Sequence, residues 1–297
     1  MTTLQPTVVP TEFDLQLPSG RIHAERFGPQ GAPLAICIPG LSANLKSFDF
    51  LGERLASDAL QVVAVDLRGR GRSEVTPPGT YGWINHARDV LAVADLLGAE
   101  KVTLIGQSMG GAVAMACAYL DASRVERIAL LDIAGRPDES SLAPIGAAVS
   151  RLGAVYPSVD AYVQLVRQIG TIEPWSDYWQ RYFEYELQPV EGGVASLTDR
   201  AAVVEDGAFG AGAAAFGEHA GVYGLWRALT MPVLLLRASR EMLPGFGHIV
   251  PAADRDRFLR EVPGAQSVDV DANHYTVNTH EDSARAIAAF LGVAQTR

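Results

Sequence analysis

The chain has 297 residues, and 24 Lys plus Arg against 34 Asp plus Glu leave a formal net charge of −10. With 48% hydrophobic and 20% charged residues, it has the apolar material for a sizeable core, which excludes intrinsic disorder. The acidic balance argues against nucleic acid or an anionic membrane surface as the main partner, since both call for basic patches.

No apolar run approaches the roughly 18 residues of a membrane span, and residues 1–20 lack the positive-then-apolar order of a signal peptide. The two cysteines, Cys37 and Cys117, frame neither a disulfide scaffold nor a metal cluster. A cytoplasmic globular protein is expected.

In chain order, residues 33–39 (PLAICIP) and 60–66 (LQVVAVD) are short apolar, β-branched runs closed by turn residues. Residues 101–106 (KVTLIG) and 125–133 (VERIALLDI) are two more. Near-continuous apolarity suits strands covered on both faces, as in a parallel sheet. Between these runs, 84–97 carries apolar residues at helical spacing and 110–119 is rich in Ala and Met. This alternation implies an α/β fold, a mostly parallel, doubly wound sheet with right-handed crossovers and helices on both faces. The pattern returns with 232–236 (PVLLL), 266–270 (QSVDV) and a last helix around 281–291.

Between 134 and 230 the pattern changes. Apolar strand runs give way to helix-like segments and the aromatics Tyr156, Tyr162, Trp175, Tyr178, Trp179, Tyr182, Phe183 and Tyr185. The stretch reads as a mainly helical insertion capping the carboxyl edge of the sheet, with 1–133 and 231–297 as the core. Within it, 205–224 is Gly- and Ala-rich and reads as a loosely packed return. Helices packed on the sheet in the ordinary way are the plainer alternative.

Gly106-Gln107-Ser108-Met109-Gly110 fits G-x-S-x-G, directly after an apolar strand and directly before a helix. That context gives the pentapeptide its meaning. A serine on a tight strand-to-helix turn needs small residues two positions either side, which Gly106 and Gly110 supply. The turn pushes the Ser108 hydroxyl out at the sheet edge. The N–H of Met109 faces the same space, at a helix N-terminus that favours negative charge.

With this motif the chain resembles the α/β-hydrolase fold, a superfamily that includes serine esterases with helical caps, and the resemblance covers nearly its whole length. Cys37-Ile38-Pro39-Gly40-Leu41 is similar to the family's oxyanion loop after the third strand. Asp66-Leu67-Arg68-Gly69-Arg70-Gly71-Arg72-Ser73 is similar to its D-x-R-G-x-G-x-S turn, and Asn273-His274-Tyr275 falls where its catalytic histidine sits. The resemblance implies an oxyanion hole made by the N–H groups of Leu41 and Met109. Many members have His before the glycine of the oxyanion loop, whereas this chain has Pro39, which leaves open how the loop is braced. The 66–73 turn reads as structural, a tight loop with a fixed ion pair.

A serine hydroxyl needs a general base within hydrogen-bond reach. Of His23, His86, His219, His248, His274 and His280, only His274 follows a late strand and precedes the last helix, which matches the family's Ser…Asp/Glu…His order. His280 reads as a cap of that helix, and His248, in a Gly-rich stretch, is a second candidate. The acid must fix the imidazole tautomer and stabilise the imidazolium. In the commonest arrangement it follows the 232–236 strand, where Met242 stands at the aspartate position and Glu241 lies one residue early. Asp132, ending the 125–133 run, is the other candidate. Some members, hydrolases of small acetamido-acid substrates among them, resemble this chain in carrying their acid there. Asp132 is therefore expected as the acid, with Glu241 the alternative.

The expected chemistry is acyl transfer to water through Ser108, on a small or medium carboxylic ester, lactone or amide, with no metal or cofactor. The same fold also cleaves C–C bonds of vinylogous diketones, and a ligand receptor that keeps the triad is a further reading. A nucleotide site at Gly210-Ala211-Gly212 is set aside because no apolar strand precedes it. Trp175, Trp179, Tyr182 and Arg167 are the expected substrate contacts. The alternative is that the aromatics form the cap's own core and that Arg136, Arg151, Arg167 and Arg181 are solvated. A small-molecule substrate is the expected partner, and the sequence leaves the oligomeric state open, a homodimer included.

Overall fold

The apolar runs become the strands of one sheet in the computed structural model, which describes residues 9–212 and 221–294. Two strands precede the runs: β1 (Thr11–Leu17) and β2 (Gly20–Phe27), an antiparallel hairpin. Then come β3 (Leu34–Ile38), α1 (Asp49–Leu55), β4 (Gln61–Val65), α2 (Trp83–Leu96), β5 (Val102–Gln107), α3 (Met109–Asp121) and β6 (Val125–Leu131). The chain continues through α4 (Leu142–Ser150), β7 (Val155–Tyr156), α5 (Val159–Ile169), α6 (Asp177–Glu186), β8 (Leu187–Val190), β9 (Gly193–Ser196) and α7 (Arg200–Gly212). It closes with β10 (Val233–Ala238), α8 (Ala252–Glu261), β11 (Ala265–Val270) and α9 (Glu281–Leu291).

The main sheet has eight strands in the order β1-β2-β4-β3-β5-β6-β10-β11. Its first two pairings are antiparallel and the rest parallel. Burial along β3, β4, β5 and β10 is unbroken, as expected of parallel strands covered on both faces. Side-chain alternation then sorts each strand between two cores. Ile36, Ile38, Val63, Leu104 and Leu130 face α2 and α3. Ala35, Cys37, Val62, Ala64 and Leu131 face α1 and α9. The small residues of α3 are buried all round, which lets that helix lie close over the sheet.

Residues 134–230 hold α4 to α7 and, beyond the helices expected, a three-stranded antiparallel sheet in the order β7-β9-β8. These strands are short and half-exposed, so no apolar run announces them. Tyr162, Val163, Ile172, Trp179, Tyr182 and Phe183 form a separate apolar cluster. Polar contacts tie helix α6 to α1 and to the loops after β3 and β4. The Tyr178 hydroxyl donates to Glu53 at 2.6 Å, the Tyr185 hydroxyl donates to Asp66, and Asn44 Nδ2 donates to the Tyr182 carbonyl.

The 205–224 stretch differs from expectation. Residues 205–212 continue helix α7, and Asp206 is buried; 213–220 lie outside the described residues. Val222, Leu225 and Trp226 belong to the main core, with Trp226 Nε1 donating to the Ala134 carbonyl. The chain therefore rejoins the core before residue 230. Among the described residues, no helix is long and apolar enough to cross a membrane.

Candidate active site

The turn from β5 into α3 sets Ser108 at φ 53°, ψ −125°, in the left-handed region that costs a non-glycine residue strain. Among the described residues, Asp132 at φ 51° is the other non-glycine there. The motif's glycines are steric requirements. A Cβ on Gly106 would lie 2.3 Å from the Gly110 carbonyl oxygen, and one on Gly110 would lie 1.9 Å from that of Ile38. The Ser108 amide donates to the Leu131 carbonyl at 3.0 Å, tying the turn to the end of β6.

One residue further along, Asp132 turns its carboxylate across the sheet edge. Its own amide donates to the Leu236 carbonyl at 2.8 Å, and its Oδ1 accepts the Ala238 amide at 3.0 Å. The free oxygen, Oδ2, lies 2.8 Å from His274 Nδ1, and both side chains are buried. His274 stands on the loop after β11, which Asn273 holds. Asn273 Oδ1 accepts the amides of Tyr275 and Thr276, and its Nδ2 donates to the Thr171 carbonyl at 2.7 Å. Gln107 Nε2 lies 3.2 Å from His274 Nε2 and donates to the His274 carbonyl at 3.1 Å. With that amide as donor, the ring nitrogen accepts. The imidazole proton is then assigned to Nδ1, facing Asp132.

Glu241, the alternative acid, is directed elsewhere. Its carboxylate accepts the amides of Gly245 at 2.7 Å and Gly247 at 3.2 Å, bracing its own loop and leaving His274 to Asp132. Met242, at the position of the commonest acid, is buried in the main core. His248 lies 3.1 Å from the Ser239 carbonyl, away from the cavity lining, and His280 caps α9 by accepting the Asp282 amide.

Ser108, His274, Gln107 and Leu41 line a cavity of about 60 Å³ whose roof includes Trp179 and Tyr182. Trp175 and Arg167 are absent from its lining. The Trp175 ring stacks on Phe183 at 5.7 Å, and the Arg167 guanidinium lies over it at 5.2 Å. Trp175 packs against the apolar cluster, and Arg167 is exposed. Arg181 pairs with Asp49 and Glu53, and Arg136 is exposed.

The 66–73 turn is built on a buried carboxylate. Asp66 accepts the amides of Leu45 and Arg72, each at 2.8 Å, and the Tyr185 hydroxyl. Burial pushes its carboxyl up to about 6, against those hydrogen bonds. Gln107, whose only signal is its place next to Ser108, lies beside the site, and Arg70 of the 66–73 turn donates to the Leu41 carbonyl. Among the described residues, no group of three or more His, Cys, Asp or Glu is placed to hold a metal ion.

The chain belongs to the α/β-hydrolase fold family, whose family model matches residues 33–280. A serine hydrolase-like protein of Danio rerio is 32% identical over 42% of this chain and 38% of its own length. N-formylmaleamate deformylase of Pseudomonas putida is 35% identical over 38% of this chain and 41% of its own. The 3-hydroxybutyrate-oligomer hydrolase of Cupriavidus necator is 30% identical over 59% of this chain and 61% of its own. The chain thus spans between 38% and 61% of the length of these relatives. Among solved structures, E-2-(acetamidomethylene)succinate hydrolase superposes with a TM-score of 0.81 at 24% identity, covering 96% of this chain and 100% of that one. At that identity the likeness is one of fold.

Proposed function

We propose that the chain is a serine hydrolase that cleaves a small or medium carboxylic ester, lactone or amide through an acyl-enzyme on Ser108. The observation that carries this reading is the 2.8 Å contact between His274 Nδ1 and Asp132 Oδ2, set in one cavity wall with a serine held in a strained turn. Asp132 holds the imidazole in the tautomer whose Nε2 is free of a proton. That nitrogen takes the Ser108 proton as Oγ attacks the carbonyl carbon.

The negative charge on the former carbonyl oxygen is met by the N–H groups of Leu41 and Met109. The latter is a first-turn amide of α3 and so has no acceptor within its helix. The imidazolium, stabilised by Asp132, returns its proton to the leaving group. Water then repeats the sequence on the acyl-enzyme and frees the acid. Gln107 Nε2 lies on the same ring nitrogen, at 3.2 Å from His274 Nε2.

The segment between β6 and β10 serves as the cap, with Trp179 and Tyr182 closing the acyl pocket. The small cavity favours short acyl groups. The relatives named for N-formylmaleamate and for 3-hydroxybutyrate oligomers support a small polar substrate with an acyl carbon open to attack.

The test is hydrolysis of p-nitrophenyl acetate and butyrate by the wild type and Ser108→Ala. Turnover present in the first and lost in the second is expected. Equal rates would show that the serine does not carry the chemistry.

A further inference from the structure

Arg70 is a fully buried cation: its side chain and that of its partner Asp206 have no solvent exposure. Each of the three guanidinium nitrogens has an acceptor. Nε and Nη2 both donate to the Leu41 carbonyl, at 3.0 and 2.9 Å, and Nη1 donates to the Arg68 carbonyl at 3.1 Å. Nη2 also lies 2.6 Å from Asp206 Oδ2. Asp206 comes from α7, on the far side of the 134–230 segment, and is itself held from two sides. Its Oδ1 accepts the Gly82 amide at 2.6 Å, and its Oδ2 pairs with His86 Nε2 at 2.9 Å. Next to it, a Cβ on Gly207 would lie 3.8 Å from Leu41 Cδ2.

A buried ion pair contributes little stability that an apolar pair of the same volume would not. The arrangement is better explained by what it holds. Two of the guanidinium's bonds converge on one carbonyl, and that carbonyl belongs to the residue whose N–H the serine hydrolase reading assigns to the oxyanion hole. An oxyanion donor lowers the barrier only if it is oriented before charge develops. The peptide plane after Leu41 is fixed by Arg70. The approach before it is closed at Gly40, where a Cβ would lie 2.4 Å from Gln107 Oε1 and 3.3 Å from Ser108 Cβ. Leu41 is therefore pinned on both sides. The brace comes from the 66–73 turn and α7.

We infer that Arg70 is a positioning residue for the oxyanion loop, gripping the Leu41 carbonyl, and that Asp206 on α7 holds Arg70 in place, so that the cap segment and the oxyanion donor are mechanically joined. The inference rests on the serine hydrolase reading above. It assigns Arg70 no contact with substrate.

The test uses Arg70→Lys, which keeps a cation opposite Asp206 but reaches Leu41 with at most one bond. It is compared with Asp206→Asn, Ser108→Ala and the wild type on p-nitrophenyl butyrate. A second readout is inhibition by n-butylboronic acid. In that adduct Ser108 Oγ bonds to boron, its proton goes to His274, and a boron-bound oxygen occupies the oxyanion position. We expect Arg70→Lys to lower kcat and boronate affinity together by roughly tenfold or more, with KM within about twofold, because the lost alignment is felt only by the tetrahedral state. Asp206→Asn follows the same pattern with a smaller loss. It carries the test alone if the lysine variant does not fold.

If Ser108→Ala is inactive while both variants keep kcat and boronate affinity within about twofold of wild type, the inference is wrong and the serine hydrolase reading stands. A loss confined to KM or to thermal stability also overturns it, since that marks a merely structural role. Turnover surviving in Ser108→Ala removes the underlying reading instead.

Discussion

His274 Nδ1 and Asp132 Oδ2 lie 2.8 Å apart although 142 residues separate them in the chain. The contact exists because β6 and β11 flank β10 in the sheet and so deliver their following loops to one edge. Asp132→Asn keeps the shape of the site but favours the wrong imidazole tautomer, and kcat on p-nitrophenyl butyrate is expected to fall by about 10³–10⁴. Glu241→Gln, which acts on a separate loop, is expected to stay within about twofold. Reversed costs would place the acid after β10.

The nucleophile turn has no room for a methyl group. Gly110→Ala puts a Cβ 1.9 Å from the Ile38 carbonyl oxygen, a backbone atom that cannot move aside alone. We expect a loss of about 3 kcal/mol in urea unfolding, at the upper end of the overpacking range. A variant as stable as wild type would mean that β3 and α3 are less closely packed than described.

The cavity wall separates two sets of aromatics. Trp179→Leu is expected to shift the acyl-chain preference of p-nitrophenyl esters toward longer chains, because it removes part of the roof. Arg167→Ala, acting on Trp175 outside the lining, leaves kcat/KM within about twofold. In the wild type, activity should decline as the acyl chain lengthens. A steady rise to long chains would contradict the account of the pocket.

Asp49 gives the fold a pH dependence. Burial, then the neighbouring Glu25 carboxylate, push its carboxyl from 3.8 up to about 7, against the pull of Lys46 and Arg181. A carboxyl raised in the folded state favours folding in its protonated form. That contribution is complete below the unfolded value near 4 and is lost as pH rises through about 7. Asp49→Asn removes this dependence. Relative to its value at about pH 4, the variant's stability advantage over wild type in urea unfolding should grow by something on the order of 2 kcal/mol by about pH 8. A difference independent of pH would show that Asp49 does not titrate in this range.

Much of the parallel sheet is readable from composition because strands covered on both faces are apolar throughout, as in β3, β4, β5 and β10. The hairpin β1–β2 escapes that test. Phe13, Leu15 and Leu17 alternate with Glu12, Asp14 and Gln16 in an edge strand with one wet face, so its signal is period two rather than a run. The small β7-β9-β8 sheet has too few residues to show a period at all. Ser108 and His274 are legible because local chemistry demands a turn glycine pattern and a loop position.

The acid is only half legible, since Asp132 and Glu241 both stand after strands that reach the same edge, and the choice depends on where each carboxylate turns. An ion pair in the 66–73 turn is legible, but Asp206 and His86 as the partners around Arg70 are not. Their pairing depends on how α7 packs, in a stretch whose Gly and Ala content suggested looseness, and no pattern within it marks Asp206 as buried.

The proposed mechanism passes through a covalent acyl group on Ser108. The most direct measurement is acid quenching of the enzyme during steady-state turnover of p-nitrophenyl butyrate, followed by intact-protein and peptide mass spectrometry. One added butyryl group is expected, located on the peptide that contains Ser108, with none on the Ser108→Ala variant. A butyryl group on another residue, or turnover with no adduct alongside a variant as active as the wild type, would contradict it.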